Sequence, residues 1–214
     1  MSQLTRLAPV IVLAACLTSL GAAPAEGTTL GWSSVAANPG SNSCSIQTCG
    51  IIFQANSDIS VTSLGFFDQS ADGVLAGGPA FVGLWTAAGA LLASTTVTGT
   101  DPLGGFDDTG AAISGDFRFV PLAVPVALTA GAQYVVAAAT TASSGEVFNT
   151  ATFATPSEIT IVGGALDSTA NTLTFPATPF SGELGRANFE FVPEPTTALL
   201  LGLGLAGLAL RRQT

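Results

Sequence analysis

Between residues 50 and 192 the chain alternates. Ile59 and Val61 are interleaved with Ser60 and Thr62, Phe117 and Phe119 flank Arg118, and Val124, Val126 and Leu128 recur at every second position. Ile159 and Ile161, Leu173 and Phe175, and Phe189 and Phe191 repeat the pattern. A period of two sends successive side chains to opposite faces of an extended strand, so one face is buried and the other meets water. With the short apolar runs at 50–54, 81–85, 91–97 and 133–138, about ten strands are expected. Gly, Pro, Asn, Asp and Ser punctuate them, and no stretch of this core has the spacing of an amphipathic helix. Short half-apolar strands bury their apolar faces by stacking one sheet on another. The predicted fold is therefore all-β: an antiparallel β-sandwich, jelly-roll-like, with no internal repeat.

The two ends follow a different rule. Met1 to Arg6 is a short polar lead with one positive charge, and residues 7–23 are almost without polar groups, which is the pattern of a secretory signal peptide and its helix. Small residues at Ala23 and Ala25 suit signal peptidase, so cleavage is predicted after Ala25, separating residues 1–25 from the mature chain. Leu13-Ala14-Ala15-Cys16 also fits a bacterial lipobox, in which Cys16 would carry a lipid. The other reading of Cys16 is a small hydrophobe inside the signal.

At the opposite end, Val192-Pro193-Glu194-Pro195-Thr196-Thr197 leads into residues 198–210, which have no polar side chain, and then Arg211-Arg212-Gln213-Thr214. As a helix this apolar segment spans about 20 Å against a hydrocarbon core of about 30 Å, a marginal membrane crossing. Arg211 and Arg212 would hold the extreme end in the cytoplasm. Gly202-Leu203-Gly204-Leu205-Ala206-Gly207 satisfies the dinucleotide-binding spacing, but it lacks a preceding strand and the downstream acidic residue that such a site needs. Its glycines read better as the small-residue face of a membrane helix.

Pro193-Glu194-Pro195, the apolar Leu/Gly helix and the terminal arginine pair resemble the PEP-CTERM sorting signal of Gram-negative bacteria that make extracellular polysaccharide. The resemblance covers residues 192–214. It implies an exosortase partner, an integral membrane transpeptidase-like enzyme that recognises the tail and cuts near Pro-Glu-Pro, and it makes residues 193–214 a sorting tail. The alternative is a plain single-pass anchor.

The expected domain, residues 26–192, holds thirteen of the fourteen acidic residues and only two of the five basic ones, Arg118 and Arg186. The chain has no His, and its five basic residues are all Arg. Imidazole catalysis, His-ligated metals, Schiff-base chemistry and a basic face for nucleic acid are excluded together. Gly31-Trp32, Leu64-Gly65-Phe66-Phe67-Asp68, Val82-Gly83-Leu84-Trp85, Gly89-Ala90-Leu91-Leu92-Ala93-Ser94 and Leu128-Thr129-Ala130-Gly131-Ala132-Gln133-Tyr134 resemble an uncharacterised β-sandwich domain common in PEP-CTERM cargo and other secreted bacterial proteins. That resemblance implies extracellular residence and carries over no catalytic residue.

Three groups are candidates for chemistry. Cys44 and Cys49 enclose four residues in an exported domain and are predicted to form a disulfide. A metal centre on them would lack a third soft ligand. Asp101, Asp107, Asp108 and Asp116 crowd one Gly-rich stretch, and Asp68 and Asp72 flank a turn ending at Gly73. They read as solvated turn residues or as oxygen ligands of a structural calcium, although the regular calcium-loop series is missing. A glycosidase would need two carboxyls at a set separation, which spacing along one chain does not define. Among the large aromatics, Trp85 and Tyr134 sit in strand-like contexts, leaving Trp32 as the candidate surface contact for a glycan. The expected protein is non-catalytic and without a required cofactor. It is inserted in the inner membrane by its tail and then moved to the cell surface, outer envelope or extracellular matrix. The alternatives are an exopolysaccharide-binding module, a glycan hydrolase or a lipoprotein.

Overall fold

A computed structural model describes residues 27–37, 44, 47–75, 77–109, 114–142, 148–149, 152–168, 172–180 and 184–194. The predicted signal helix and apolar tail helix, together with Pro195, Arg211 and Arg212, lie outside the described residues. The strands in chain order are β1 (Thr29–Leu30), β2 (Ser34–Ala37), β3 (Thr48–Ala55), β4 (Ile59–Gln69), β5 (Ala80–Thr86), β6 (Leu91–Val97), β7 (Gly115–Leu128), β8 (Gln133–Thr140), β9 (Phe148–Asn149), β10 (Thr152–Ala154), β11 (Ile159–Asp167), β12 (Thr178–Phe180), β13 (Leu184–Gly185) and β14 (Ala187–Pro193). They form an antiparallel β-sandwich. One sheet has four strands in the order β1-β14-β4-β7, the other six in the order β12-β11-β3-β8-β5-β6, and β10-β2 and β13-β9 are short ribbons.

The core is aromatic and packs on both faces of the four-stranded sheet. Trp32, Phe53, Phe66, Phe67, Phe117, Phe189 and Phe191 are fully buried with Ile51, Ile59, Val61 and Leu64. Phe53 stacks on Phe189 with ring centroids 4.7 Å apart, joining the six-stranded sheet to the four-stranded one. Burial of each such ring contributes about 1.5–3 kcal/mol by area.

Parity along the strands is adjusted by bulges. Ile59 and Val61 point into the core, but between Val61 and Ser63 the pairing with β7 slips, and Leu64 and Phe66 take the inward positions thereafter. One extra residue moves the set facing the other sheet from odd to even numbers, while Phe67 on the opposite face packs against Phe106 and Phe117. Opposite this slip β7 advances from Pro121 to Val126. Val124, expected in register with Val126 and Leu128, is carried outward and is 73% exposed. β7 is an edge strand of its sheet, and Pro121 and Pro125 lie in this stretch. Proline lacks the N–H that would template another strand, so it is tolerated there and blunts the edge.

The six-stranded sheet is buried on both faces at its centre. In β8, Tyr134, Val136 and Ala138 face the core, while Val135 and Ala137 lie under Trp85 with Leu173 and Phe175 packed against them. This explains why β8 reads as a continuous apolar run. Leu173 and Phe175 are not in a strand: their segment crosses the outer face irregularly, held where Thr48 Oγ1 donates to the Thr172 carbonyl at 3.0 Å.

Candidate functional site

The first and last strands of the domain meet at one pole. Thr29 pairs with Phe191 and Leu30 with Glu190, antiparallel, so the chain entering β1 and the chain leaving β14 sit side by side at the same end of the four-stranded sheet. Pro193 is still within β14 and stands opposite Ile59 of β4. One residue on, the Glu194 N–H donates to the Asp58 carbonyl at 3.1 Å, and Ser60 Oγ donates to Glu194 Oε1 at 2.9 Å. Asp58 is itself fixed, its Oδ1 accepting from the Ala130 N–H at 2.8 Å in the turn between β7 and β8. That turn is closed by Gly131, whose φ of 79° favours glycine, and by Tyr134, whose hydroxyl oxygen accepts from the Thr129 N–H at 2.9 Å. Among the described residues, contact with the sheet continues through Glu194.

The aspartates gather at the other pole. β4 runs from Ile59 beside Pro193 to Gln69, and its ten steps cover about 33 Å at ~3.3 Å each. There Asp68 is fully buried and accepts from Arg118 Nε at 2.6 Å and from the Gly73 N–H at 3.0 Å. Arg118 Nη1 reaches the Asp101 carbonyl at 2.7 Å, and Asp101 Oδ2 accepts from the Thr98 N–H at 2.6 Å. Asp116 takes the N–H groups of Gly105 and Phe106, both at 2.9 Å, while Asp108 takes that of Gly115 at 3.0 Å. Asp72 accepts from the Val74 N–H. Asp107 accepts from the hydroxyl and the N–H of Thr109, which together hold its carboxyl below the usual carboxylate range. These carboxylates act as loop latches, each closing a turn through backbone donors. Among the described residues, no three acidic, Cys or His side chains converge where they could hold a metal ion. Beside the latches, Gly73, Val74, Leu75, Gly78, Pro79, Thr98 and Gly99 line an open cleft of about 290 Å³.

Trp32 is not a surface residue. Its indole is fully buried, edge-on to Phe117 and Phe189 at 6.1 and 6.2 Å and tilted against Phe153 at 5.5 Å. A ring with no exposed face cannot form a glycan platform, so that expectation is corrected. Asn188 draws the loop carrying it inward, donating from Nδ2 to the Trp32 carbonyl at 2.9 Å. Trp85 and Tyr134 are buried as their strand contexts implied. Cys44 and Cys49 are joined, with Cα atoms 6.2 Å apart, and pack against Leu166 and Phe180.

Three buried polar residues were not anticipated as structural: Asn188, Arg118 and Arg186. Arg186 is fully buried, with its guanidinium 5.1 Å from the centre of the Phe66 ring and Nη2 donating to Thr140 Oγ1 at 3.2 Å. The available signal was scarcity: these are the two arginines of the domain, each beside strand residues, in a chain with little positive charge.

Residues 191–213 match the PEP-CTERM protein-sorting motif, so the motif begins at Phe191, a core residue of β14. That match implies an exported protein, sorted to the cell surface and processed by exosortase. A comparison with curated proteins finds no match. Residues 25–182 match a domain of unknown function, DUF4082, and since this is well over half of its length, the chain belongs to the DUF4082 family.

Proposed function

We propose that the protein is a non-catalytic structural or interaction component of the envelope or extracellular matrix of a Gram-negative bacterium. Signal peptidase cuts after Ala25, the apolar tail holds the precursor in the inner membrane, and exosortase processing at Pro193-Glu194-Pro195 passes the domain outward. One observation supports this reading: the sorting motif starts within β14, which leaves the sandwich beside β1 at the pole opposite the aspartate-rich turns. The distal aspartates support the non-catalytic part, because Asp68, Asp108 and Asp116 each serve to close a turn through backbone donors.

We further infer a jelly-roll arrangement. Taking β1, β3, β4, β5, β6, β7, β8 and β14 as one to eight, the sheets read 1-8-3-6 and 2-7-4-5, the interleaving of paired Greek keys, with β11 and β12 extending the second sheet.

Fractionation of exosortase-bearing cells and of an exosortase-deleted strain tests the sorting reading. The domain is expected at the surface or in the medium without its tail in the first, and in the inner membrane with its tail in the second. Full-length chain retained in the inner membrane of both would overturn it. Exopolysaccharide contact is a second reading, favoured by the cleft at the pole away from the membrane. Affinity electrophoresis in the host polysaccharide with Val74→Arg tests it, and mobility equal to wild type with no retardation in either would reject it.

A further inference from the structure

The sorting motif and the sandwich share residues, and that overlap bears on where the chain is cut. Phe191 is fully buried, and Phe191, Val192 and Pro193 pair with Val61, Ser60 and Ile59 of β4. β14 is an interior strand, with β1 bonded on its other side. A processing enzyme binds its substrate extended, along the same backbone edges that a sheet uses for its ladder. Inside β14 the edge toward β4 is occupied as far as Pro193, and the edge toward β1 as far as Phe191. Glu194 is held as well, through its N–H to Asp58 and its carboxylate to Ser60.

We propose that the folded domain sets the processing boundary: the bond cut lies on the C-terminal side of Glu194, and Ser60 restrains the motif by clasping the Glu194 carboxylate. This rests on the reading that exosortase removes the tail. In the step itself the scissile C–N bond breaks and the departing tail nitrogen takes a proton. The acyl carbon passes to the enzyme nucleophile and from there to water or an amine acceptor. Ser60 is a positioning residue; it does no chemistry. Opening the clasp leaves the ladder up to Pro193 intact while freeing Glu194 for recognition, so the domain stays folded as its tail is taken.

The test uses the full chain in an exosortase-bearing host, with intact-mass analysis of the mature product and pulse-chase of the precursor. A mature C-terminus at Glu194 or beyond is expected. Ser60→Ala should speed conversion ~2–10-fold, the worth of one ordinary, solvent-exposed hydrogen bond, while Ser60→Thr, which keeps the hydroxyl, should match wild type. Near-UV circular dichroism of the mature products should be the same for all three, which separates release of the clasp from misfolding. A terminus at Pro193 or earlier overturns the boundary, and an unchanged or slower Ser60→Ala overturns the clasp. Persistence of uncut wild-type chain would instead contradict the sorting reading beneath both.

Discussion

Arg118 Nε lies 2.6 Å from Asp68 Oδ2, with both side chains buried at the pole of the sandwich farthest from its two ends. The pair gathers two segments: the turn at 70–73, through Asp68 to the Gly73 N–H and through Nη2 to the Ala71 carbonyl at 3.4 Å, and the Asp101 carbonyl through Nη1. Burying two charges is costly, and their attraction offsets the cost only while both are present. Arg118→Leu should destabilise the domain by about 3–5 kcal/mol, because Asp68 is then buried without its counter-charge. The double variant Asp68→Asn/Arg118→Leu should lose less than the single one. Urea unfolding of the two proteins checks both statements.

Asp107 gives the pH dependence its sign. The Thr109 hydroxyl, and after it the Thr109 N–H, favours the charged carboxylate and lowers its pKa in the folded state. A group depressed by folding stabilises above its unfolded pKa, and that contribution disappears as pH falls through the lower, folded value. Thr109→Val should therefore raise the Asp107 titration toward the ordinary carboxylate range. Carbon-detected NMR of the side chain would show the shift.

Trp32→Ala should cost about 3–5 kcal/mol of stability, as removal of a large core ring does. It should leave any polysaccharide retardation of the remaining folded protein unaltered. Urea unfolding and affinity electrophoresis of one preparation would separate the packing role from the surface role.

Breaking the Cys44–Cys49 link should cost roughly 2 kcal/mol, the entropy of closing so small a ring. The loss should appear in Cys44→Ser/Cys49→Ser as a lower urea midpoint with the aromatic core left intact, since the two cysteines pack in a separate cluster with Leu166 and Phe180.

Much of the sandwich was legible because burial follows chemistry at period two. The run at 91–97 is β6, and Phe117, Phe119, Phe189 and Phe191 are all buried in the core. The exceptions have local causes. Val124 is displaced by the irregular pairing of β7, which depends on its partner strand and not on its own neighbours. Leu173 and Phe175 alternate like a strand, yet they serve as a lid over Trp85, the Trp85–Phe175 centroids lying 6.3 Å apart. The site was less legible. That Pro-Glu-Pro is a sorting element follows from residue order, but its union with β4 requires Ser60, which is 134 positions away and unremarkable in sequence. Trp32 was misplaced for the same reason: its partner Asn188 lies 156 positions along the chain.

The central claim is that the last strand belongs equally to the domain and to the sorting motif, although the family match ends at residue 182. Urea unfolding of chains running from residue 26 to Glu194 and from residue 26 to Gly185 tests it most directly. Removing β14 strips Phe189 and Phe191 from the core, at about 3–5 kcal/mol each, against a total stability of about 5–15 kcal/mol for a domain. The account predicts one cooperative transition for the longer chain and none for the shorter. Equal midpoints for the two would contradict it.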